Sequence, residues 1–265
     1  MTNKDIYNLK DNVAIITGGA GNLGESIAHA LANNGCSLFI VDINQSKLDR
    51  LKKILKKYSN IKIFYLKANL ESIEERKKVF SEFQRYFKKL DILINNAAFV
   101  SDSNLQGWIE DFDKQDVDLW EKVLSVNLTC TFHLSQLFYN FLKINKGKII
   151  NISSIYGLLG PNLSIYNDTK MGNPAAYSSS KGGLIQLSKW LATTLAPEVR
   201  VNCISIGGIK RNQPVKFIKR YIKLTPLARM GTEQDVIGAI LYFSSDISSW
   251  VTGQNLVIDG GLSAW

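Results

Sequence analysis

The chain has 265 residues, of which 45% are hydrophobic and 21% charged, a composition typical of a globular protein with a sizeable core. No apolar run reaches 18 residues, which argues against a membrane-spanning helix. The formal net charge is +9, but the excess is mostly lysine spread over many predicted helix faces. We therefore expect a solvated surface rather than a nucleic-acid interface.

Cysteines and histidines are few and scattered. Cys36, Cys130 and Cys203 are widely spaced in apolar surroundings, which predicts buried thiols in a reducing compartment rather than disulfides or a metal site. His29 and His133 both fall inside helical patterns, so we expect no metal site. The polar N-terminus lacks the apolar core of a signal peptide, which favours a cytoplasmic protein.

Apolar, β-branched runs alternate with helical patterns along the chain. The apolar runs predict strands at 13–17, 37–41, 61–66, 91–94, 147–152, 200–206 and 255–259. The helical patterns lie at about 22–34, 45–58, 72–88, 118–143, 174–196 and 233–245. This alternation predicts a single α/β domain, residues 1–265, with a parallel sheet covered by helices on both faces.

Three irregular stretches interrupt the alternation, at 96–117, 155–173 and 207–232. Each follows a predicted strand, and the carboxyl ends of parallel strands meet at one edge of the sheet, where ligands bind in this architecture. Because long loops in a compact domain are usually functional, we expect all three stretches to border a ligand site.

A glycine-rich loop, TGGAGNLG at 17–24, joins the first predicted strand to the first helix. Such a loop sets a helix N-terminus against a phosphate; Gly18 permits the tight turn and Gly24 permits close helix packing. The next strand ends at Asp42, whose carboxylate can bind an adenosine ribose and would repel a 2′-phosphate. The flanking Ile43 and Asn44 offer no cation for that phosphate. The sequence therefore predicts a dinucleotide site that prefers NAD(H), with NADP(H) less favoured.

A tyrosine and a lysine four residues apart stand side by side on one helix face, where the ammonium can lower the phenol pKa. Four such pairs occur: Tyr58/Lys62, Tyr139/Lys143, Tyr166/Lys170 and Tyr177/Lys181. Only Tyr177/Lys181 follows helix-starting residues, with Asn173 as the expected N-cap and Pro174 as the first helical residue. This pair is the candidate for moving a proton to or from a substrate oxygen.

Several motifs in the same order resemble the short-chain dehydrogenase/reductase family over essentially the whole chain. They are TGGAGNLG, NNAA at 95–98, Asn127 in SVNL, NISSIYG at 151–157, Tyr177/Lys181 and the ending VTGQNLVIDGG at 251–261. The resemblance implies a Rossmann-like doubly wound sheet, with a cofactor half at about 1–150, a catalytic half at about 151–265 and a lid at about 207–232. It also implies a homodimer or homotetramer formed through the helices at 118–143 and 174–196.

The resemblance also implies roles for particular residues. Tyr177 would be the acid/base, Lys181 would lower its pKa and hold the nicotinamide ribose, and Ser154, rather than Ser153, would donate to the substrate oxygen. Asn127 would tie Lys181 to a water relay. The full set of implied cofactor-binding residues is Gly18, Asn22, Leu23, Gly24, Asp42, Asn69, Asn95, Ala97, Tyr177, Lys181, Gly207 and Ile209.

Some residues depart from the family pattern. Asn22 replaces the middle glycine of the loop, where its tolerance of positive φ would preserve binding. Asn69 replaces an acid that often contacts adenine, and Ile206 replaces the proline of the usual turn. These departures motivate the alternative of a non-catalytic NAD-sensing or scaffold protein.

The second half carries two unusual segments. Ser154 and Tyr177 are 23 residues apart, about ten more than is usual in the family. We expect the insertion, roughly LLGPNLSIYNDTKMG at 158–172, to lie over the mouth of the site, where Tyr166 and Lys170 are candidate contacts. The segment KRNQPVKFIKRYIK at 210–223 has a basic helix face (Lys216, Lys219, Arg220, Lys223) opposite an apolar face (Val215, Ile218, Ile222).

Two interpretations of the basic segment remain open: a lid helix with a solvated face, or a group of cations, with Arg211 foremost, that attracts an anionic substrate. The segment and the insertion also resemble a branch linked to bacterial surface-sugar and flagellin modification. The prediction is an NAD(H)-dependent oxidoreductase that interconverts a secondary alcohol and a ketone, on a small molecule that is a sugar or an anion.

Overall fold

The computed structural model describes residues 6–99, 105 and 107–265, so the part of the 96–117 stretch at 100–104 and 106 lies outside the described residues. Seven parallel strands form one sheet in the order β3-β2-β1-β4-β5-β6-β7. The strands are β1 Val13–Thr17, β2 Ser37–Asp42, β3 Ile63–Lys67, β4 Ile92–Asn95, β5 Lys148–Ser154, β6 Arg200–Ile206 and β7 Asn255–Ile258. The predicted doubly wound α/β fold is confirmed.

Helices cover both faces of the sheet. They are α1 Asn22–Asn33, α2 Gln45–Leu55, α3 Ile73–Tyr86, α4 Val117–Leu124, α5 Cys130–Ile144, α6 Ala175–Leu195, α7 Val215–Leu224 and α8 Glu233–Ser244. No helix among the described residues is long and apolar enough to cross a membrane.

Successive residues of β1 supply the two halves of the core. Ala14 and Ile16 pack with α1, α2 and α8, whereas Val13 and Ile15 pack with α3, α5 and α6. This alternation follows from the two-residue period of a strand, and both faces of β1 are buried. The rigid sheet holds the residues at its carboxyl edge in fixed positions.

Two predicted helices differ in detail from the structure. The pattern at 118–143 is split by a π-helical turn, Ser125–Thr129, between α4 and α5. Helix α6 begins at Ala175, with Pro174 rather than Asn173 as its N-cap, because the Pro174 carbonyl accepts the first helical bonds, from the N–H groups of Tyr177 and Ser178. The Asn173 side chain instead donates to Ser178 Oγ (3.0 Å). Single π turns are rare and occur often at functional sites, and this one contains Asn127.

The lid region at 207–232 contains α7, whose buried face differs from the predicted one. Phe217 and Tyr221 are buried, whereas Val215 is 66% exposed. Apolar side chains occur around much of this short helix, so the neighbouring chain decides which of them are buried. That neighbour is the insertion, through Ile165 and Tyr166.

Candidate active site

A cavity of about 640 Å³ opens at the carboxyl edge of the sheet. Residues at or just after the ends of the first six strands line it: Gly18, Asp42, Ala68, Asn96, Ser154 and Gly207. Tyr177 and Lys181 of α6 reach it from one side, and the insertion and α7 form its far wall. The three irregular stretches contribute residues to this cavity, as their positions after strands predict.

The glycine loop forms one end of the cavity. Gly18 has φ of +60°, and a Cβ atom there would lie 2.8 Å from the Cα of Ala97, so glycine is needed for this close approach. Asn96 Nδ2 donates to the carbonyls of Thr17 and Gly18, both at 3.0 Å, and fixes the loop to the end of β4. The loop leads straight into α1, which gives a helix N-terminus suited to a phosphate.

Asn22 and Asn95 do not behave as the family pattern led us to expect. Asn22 opens α1 and has no positive φ, so the expectation that it depends on tolerating that conformation is wrong. Asn95 does not line the cavity, because its buried side chain donates to Asn151 Oδ1 (2.8 Å) between β4 and β5. Its neighbours Asn96 and Ala97 line the cavity instead.

Asp42 ends β2 with its carboxylate held in the cavity wall. Its Oδ2 accepts from the backbone N–H of Ala20 and its Oδ1 from that of Asn44, both at 3.0 Å. Lys47, in the first turn of α2, lines the same part of the cavity. The sequence analysis considered only the residues adjacent to Asp42 and missed this cation, which a search of the following helical turn would have found.

The end of the cavity beyond β3 is anchored by a buried arginine. Asn69 and Leu70 line the cavity beyond β3, and the Asn69 side chain accepts from the backbone N–H of Glu71 (3.1 Å). Arg76 donates to the carbonyls of Leu70 (2.6 Å) and Glu71 (2.7 Å), and to Ser125 Oγ (2.8 Å). Arg76 thus ties the loop after β3 to the π-helical turn.

Two serines at the end of β5 have different surroundings. Ser153 Oγ donates to the carbonyl of Lys181 (2.9 Å) and joins the strand to α6. Ser154 Oγ accepts from the backbone N–H of Tyr156 (3.2 Å), so its own hydroxyl hydrogen can be donated to a ligand. This arrangement favours Ser154 as the donor to a substrate oxygen.

Tyr177 and Lys181 lie one turn apart on α6, with the Lys181 Nζ 5.8 Å from the centre of the Tyr177 ring. Lys181 is 4% exposed and donates to the carbonyl of Ile152 (2.8 Å). Burial lowers the pKa of Lys181 to about 8. Since this value is above 7, the side chain carries its proton at neutral pH and places a positive charge beside the phenol.

Asn127 is buried in the π-helical turn, where it connects two parts of the site. Its Oδ1 accepts from the backbone N–H of Phe99 (2.8 Å), and its Nδ2 donates to Ser180 Oγ (3.0 Å). Ser180 in turn donates to the carbonyl of Tyr177 (2.7 Å). Asn127 therefore positions the first turn of α6, and its predicted link from Lys181 to a water relay stays a prediction.

The segment after β6 closes another part of the cavity. Gly207 donates to the carbonyl of Ile258 (2.9 Å), and Ile209 bridges to Gly231. Gln213 Nε2 donates to the carbonyl of Ile209 (2.8 Å) and its Oε1 accepts from the N–H of Arg211 (2.5 Å). These bonds fix this part of the cavity wall.

Four aromatic residues form the far wall: Tyr156 from the turn after β5, Tyr166 from the insertion, and Phe217 and Tyr221 from α7. The hydroxyls of Tyr156 and Tyr166 are 2.6 Å apart, and the Tyr166 ring stacks on Phe217 (centroids 5.5 Å apart). The hydroxyl of Tyr221 accepts from the backbone N–H of Gly208 (2.5 Å). Burial raises the pKa of all three phenols, and that of Tyr221 reaches about 12. They are therefore neutral near pH 7.

The basic residues of the lid divide into two groups. Arg220 Nη2 lies 3.1 Å and Lys216 Nζ 3.8 Å from Asp168 Oδ2, so both cations face the outside of the insertion rather than the cavity. Arg211 lines the cavity and pairs with Glu233 (2.5 Å). Lys170 is exposed and lies outside the cavity wall, unlike Tyr166.

A family model described as enoyl-(acyl carrier protein) reductase matches residues 18–263. Together with the sheet order, the glycine loop and the Ser154, Tyr177 and Lys181 arrangement, this match shows that the chain belongs to the short-chain dehydrogenase/reductase family. The chain is an oxidoreductase of the class that acts on CH–OH groups.

Curated relatives match nearly end to end. A 3-oxoacyl-(acyl-carrier-protein) reductase of Aquifex aeolicus is 30% identical and covers 96% of this chain and 98% of its own. The post-translational flagellin modification protein A of Campylobacter coli is 29% identical, again over 96% of this chain and 98% of its own. The second relative agrees with the resemblance to the flagellin-modification branch.

Solved structures show the same fold with either cofactor. A short-chain dehydrogenase of Leptospira borgpetersenii with bound NAD+ is 34% identical, with a TM-score of 0.86 over 99% of this chain and 97% of its own. A gluconate 5-dehydrogenase of Burkholderia cenocepacia in complex with NADP and tartrate is 25% identical, with a TM-score of 0.85 over 98% of both chains. These relatives support a nicotinamide dinucleotide without deciding between the two.

Proposed function

We propose that this protein interconverts a secondary alcohol and a ketone with NAD(H), using Tyr177 as the acid/base. The observation that carries the proposal is the placement of Tyr177 beside the buried ammonium of Lys181, in the same cavity as Ser154 and the glycine loop. The cavity also fits a dinucleotide: its walls run from the Gly18 loop and Asp42 to α6. A bound nicotinamide would accept or supply the hydride.

The residues of this chain would transfer the proton and orient the substrate. In the oxidation direction, the carbinol C–H bond breaks with its electron pair leaving as hydride, while the phenolate oxygen of Tyr177 takes the hydroxyl proton. Ser154 donates to the same substrate oxygen. Lys181 stabilises the negative charge on the Tyr177 oxygen, and Asn127 holds the first turn of α6 in place through Ser180.

The test is turnover of NADH or NAD+ across a panel of sugars, cyclic alcohols and ketones, with wild type and Tyr177→Phe. We expect one or more substrates to be turned over, and Tyr177→Phe to lose about 100-fold or more in kcat while retaining NADH binding. Tight cofactor binding without turnover of any member would favour the alternative, a cofactor-sensing or scaffold protein.

NAD(H) is the proposed cofactor because the Asp42 carboxylate is held in the wall by two backbone N–H groups, where a 2′-phosphate would meet a fixed negative charge. The bound NAD+ in the Leptospira relative supports this choice. Lys47 is the opposing observation, because a cation on the same wall would favour NADP(H).

An anionic substrate is a second candidate within the same reaction. Arg211 is the observation that favours it, since this guanidinium lines the cavity and lies 2.5 Å from Glu233. A substrate carboxylate or phosphate would compete with Glu233 for Arg211. Lys216 and Arg220 do not support it, because both are paired with Asp168.

We further propose that residues 1–265 form one cytoplasmic domain that acts on a small molecule as a homodimer or homotetramer. All three cysteines are buried free thiols, in keeping with a reducing compartment. Phe132 on α5 and Trp190 on α6 are 41% and 53% exposed, which supports association through these helices. We expect no nucleic-acid or membrane partner.

A further inference from the structure

The far wall of the cavity contains a pair of phenols that the proposed chemistry does not use. Tyr156 follows Ser154 by two residues, and Tyr166 comes from the insertion; their hydroxyl oxygens are 2.6 Å apart. Both residues line the cavity, and Tyr166 is 7% exposed. The backbone N–H of Tyr156 donates to Ser154 Oγ (3.2 Å), and the nearby Tyr177 phenol is one of the groups that raise the pKa of Tyr166, so the pair shares this cavity with the proposed catalytic residues.

The pair has hydrogen-bonding capacity to spare. One phenol donates to the other, so the accepting phenol keeps its own hydrogen, and each oxygen can accept further bonds. Burial raises the pKa of both groups, so the pair remains neutral near pH 7 and recognises neutral polar groups rather than attracting anions.

The surroundings hold the pair in place. The Tyr166 ring stacks on Phe217 of α7 at an interplanar angle of 26°, and α7 is joined to the insertion through Arg220 and Asp168. Thr169 Oγ1 donates to the Tyr166 carbonyl (2.6 Å) and closes the turn behind it. A phenol fixed in this way loses little conformational entropy when it binds a ligand.

We propose that Tyr156 and Tyr166 form a hydroxyl-recognition site, and that the substrate is a polyhydroxylated alcohol or ketone with a second hydroxyl near the reacting carbon. Tyr166 is then the residue through which the insertion determines specificity. This inference rests on the proposed function and names the substrate class of the same site.

The test compares two probes that differ by one hydroxyl, cyclohexanol and trans-1,2-cyclohexanediol. Their affinities for the NADH-bound protein are measured by calorimetry, and kcat/KM for both is measured with NAD+. We expect wild type to bind the diol more tightly by roughly two- to tenfold, the contribution of a neutral hydrogen bond. Tyr166→Phe should lose this preference and bind cyclohexanol as wild type does.

Phenylalanine keeps the ring that stacks on Phe217, so Tyr166→Phe removes only the hydroxyl. Tyr156→Phe should have a similar effect, and the double variant should lose little more than either single variant, because the two hydroxyls act as a pair. Lys170→Ala is the matched control, since this exposed residue of the insertion lies outside the cavity wall.

Equal affinities for the two probes in wild type, no measurable binding of either, or equal losses for both in Tyr166→Phe would overturn the inference. Failure of the proposed function has a different outcome: the diol preference would persist in binding, but NAD+ would not be reduced and Tyr177→Phe would change nothing. The two failures are therefore distinguishable.

Discussion

Lys181 combines an ionisable group with almost complete burial. Its ammonium forms one hydrogen bond, to the carbonyl of Ile152, and burial lowers its pKa to about 8 from an unfolded value of about 10.5. The folded protein therefore releases this proton at a lower pH than the unfolded chain does. The charge that would assist Tyr177 makes folding less favourable at neutral pH.

This difference predicts a pH dependence of stability. The destabilising contribution of Lys181 is fully present below pH 8 and is lost as pH rises from about 8 towards 10.5, with a slope of at most about 1.4 kcal/mol per pH unit. The difference in unfolding free energy between Lys181→Met and wild type should therefore fall across this window. Urea unfolding at pH 7.0 to 9.5 measures it, and the exposed Lys170→Met should show no trend. A constant difference for Lys181→Met would contradict this account.

We expect cofactor preference to depend on two side chains of opposite charge, Asp42 and Lys47, which both line the cavity. Replacing Asp42 by alanine removes a ribose acceptor and the repulsion of a 2′-phosphate, so the preference for NADH over NADPH should narrow by about tenfold or more. The matching substitution, Lys47→Ala, should weaken the binding of NADPH and leave that of NADH unchanged. Fluorescence titration of both cofactors gives the dissociation constants. Equal or tighter binding of NADPH by wild type would show that Lys47 outweighs Asp42.

At the level of elements, the insertion and α7 together form the far wall of the cavity. The cations of this region differ in position, because Arg211 lines the cavity whereas Arg220 pairs with Asp168 outside it. If the substrate is an anion, Arg211→Ala should weaken substrate binding and make kcat/KM fall less steeply as salt is added. Arg220→Ala should leave the salt dependence unchanged, because the Arg220 guanidinium pairs with Asp168. The measurement is kcat/KM for trans-4-hydroxycyclohexanecarboxylate and for cyclohexanol at increasing ionic strength. If kcat/KM fell equally with ionic strength for both substrates, the natural substrate would be better described as neutral.

Sequence patterns located the elements well and the side-chain partners less well. The runs for β1 and β6 match the strands residue for residue, because buried β-branched runs have few alternatives. The π-helical turn was missed, because a single turn of five residues is too short to change the apolar pattern of the helices around it noticeably. The apolar face of α7 was predicted only in part: Ile218 and Ile222 pack against the cluster, but Val215 is exposed. Phe217 and Tyr221 are buried by contact with Tyr166, a neighbour about 50 residues away in sequence.

In the candidate site, too, the sequence indicated the main residues better than it indicated their neighbours. Motif order indicated Ser154, Tyr177 and Lys181, and all three line one cavity. Adjacent residues were harder to separate: Asn96, rather than Asn95, lines the cavity, because the alternation of side chains at the end of β4 decides which one turns inward. The phenol pair required the fold, since the hydroxyls of Tyr156 and Tyr166 meet only in three dimensions, whereas Lys47 lies only five residues after Asp42 in the sequence.

At the level of the whole molecule, association through α5 and α6 predicts a mass of about 59 kDa for a dimer of the 29.7 kDa chain, or about twice that for a tetramer. Trp190→Glu should shift the equilibrium towards the monomer, because it places a charge on an exposed aromatic surface of α6. Light scattering at micromolar concentration measures the mass. A wild-type value near 30 kDa would refute association.

We propose that hydride passes between nicotinamide and a carbinol carbon while Tyr177 moves the proton. This is tested by deuterium transfer from NADH carrying deuterium at both C4 positions to cyclic ketones and ketoses, followed by mass spectrometry of the alcohol products. With wild type we expect an alcohol that carries deuterium on its carbinol carbon. With Tyr177→Phe we expect the rate of this transfer to fall by about 100-fold or more. Retention of the label by bound NADH with every ketone, or an undiminished rate in Tyr177→Phe, would contradict it.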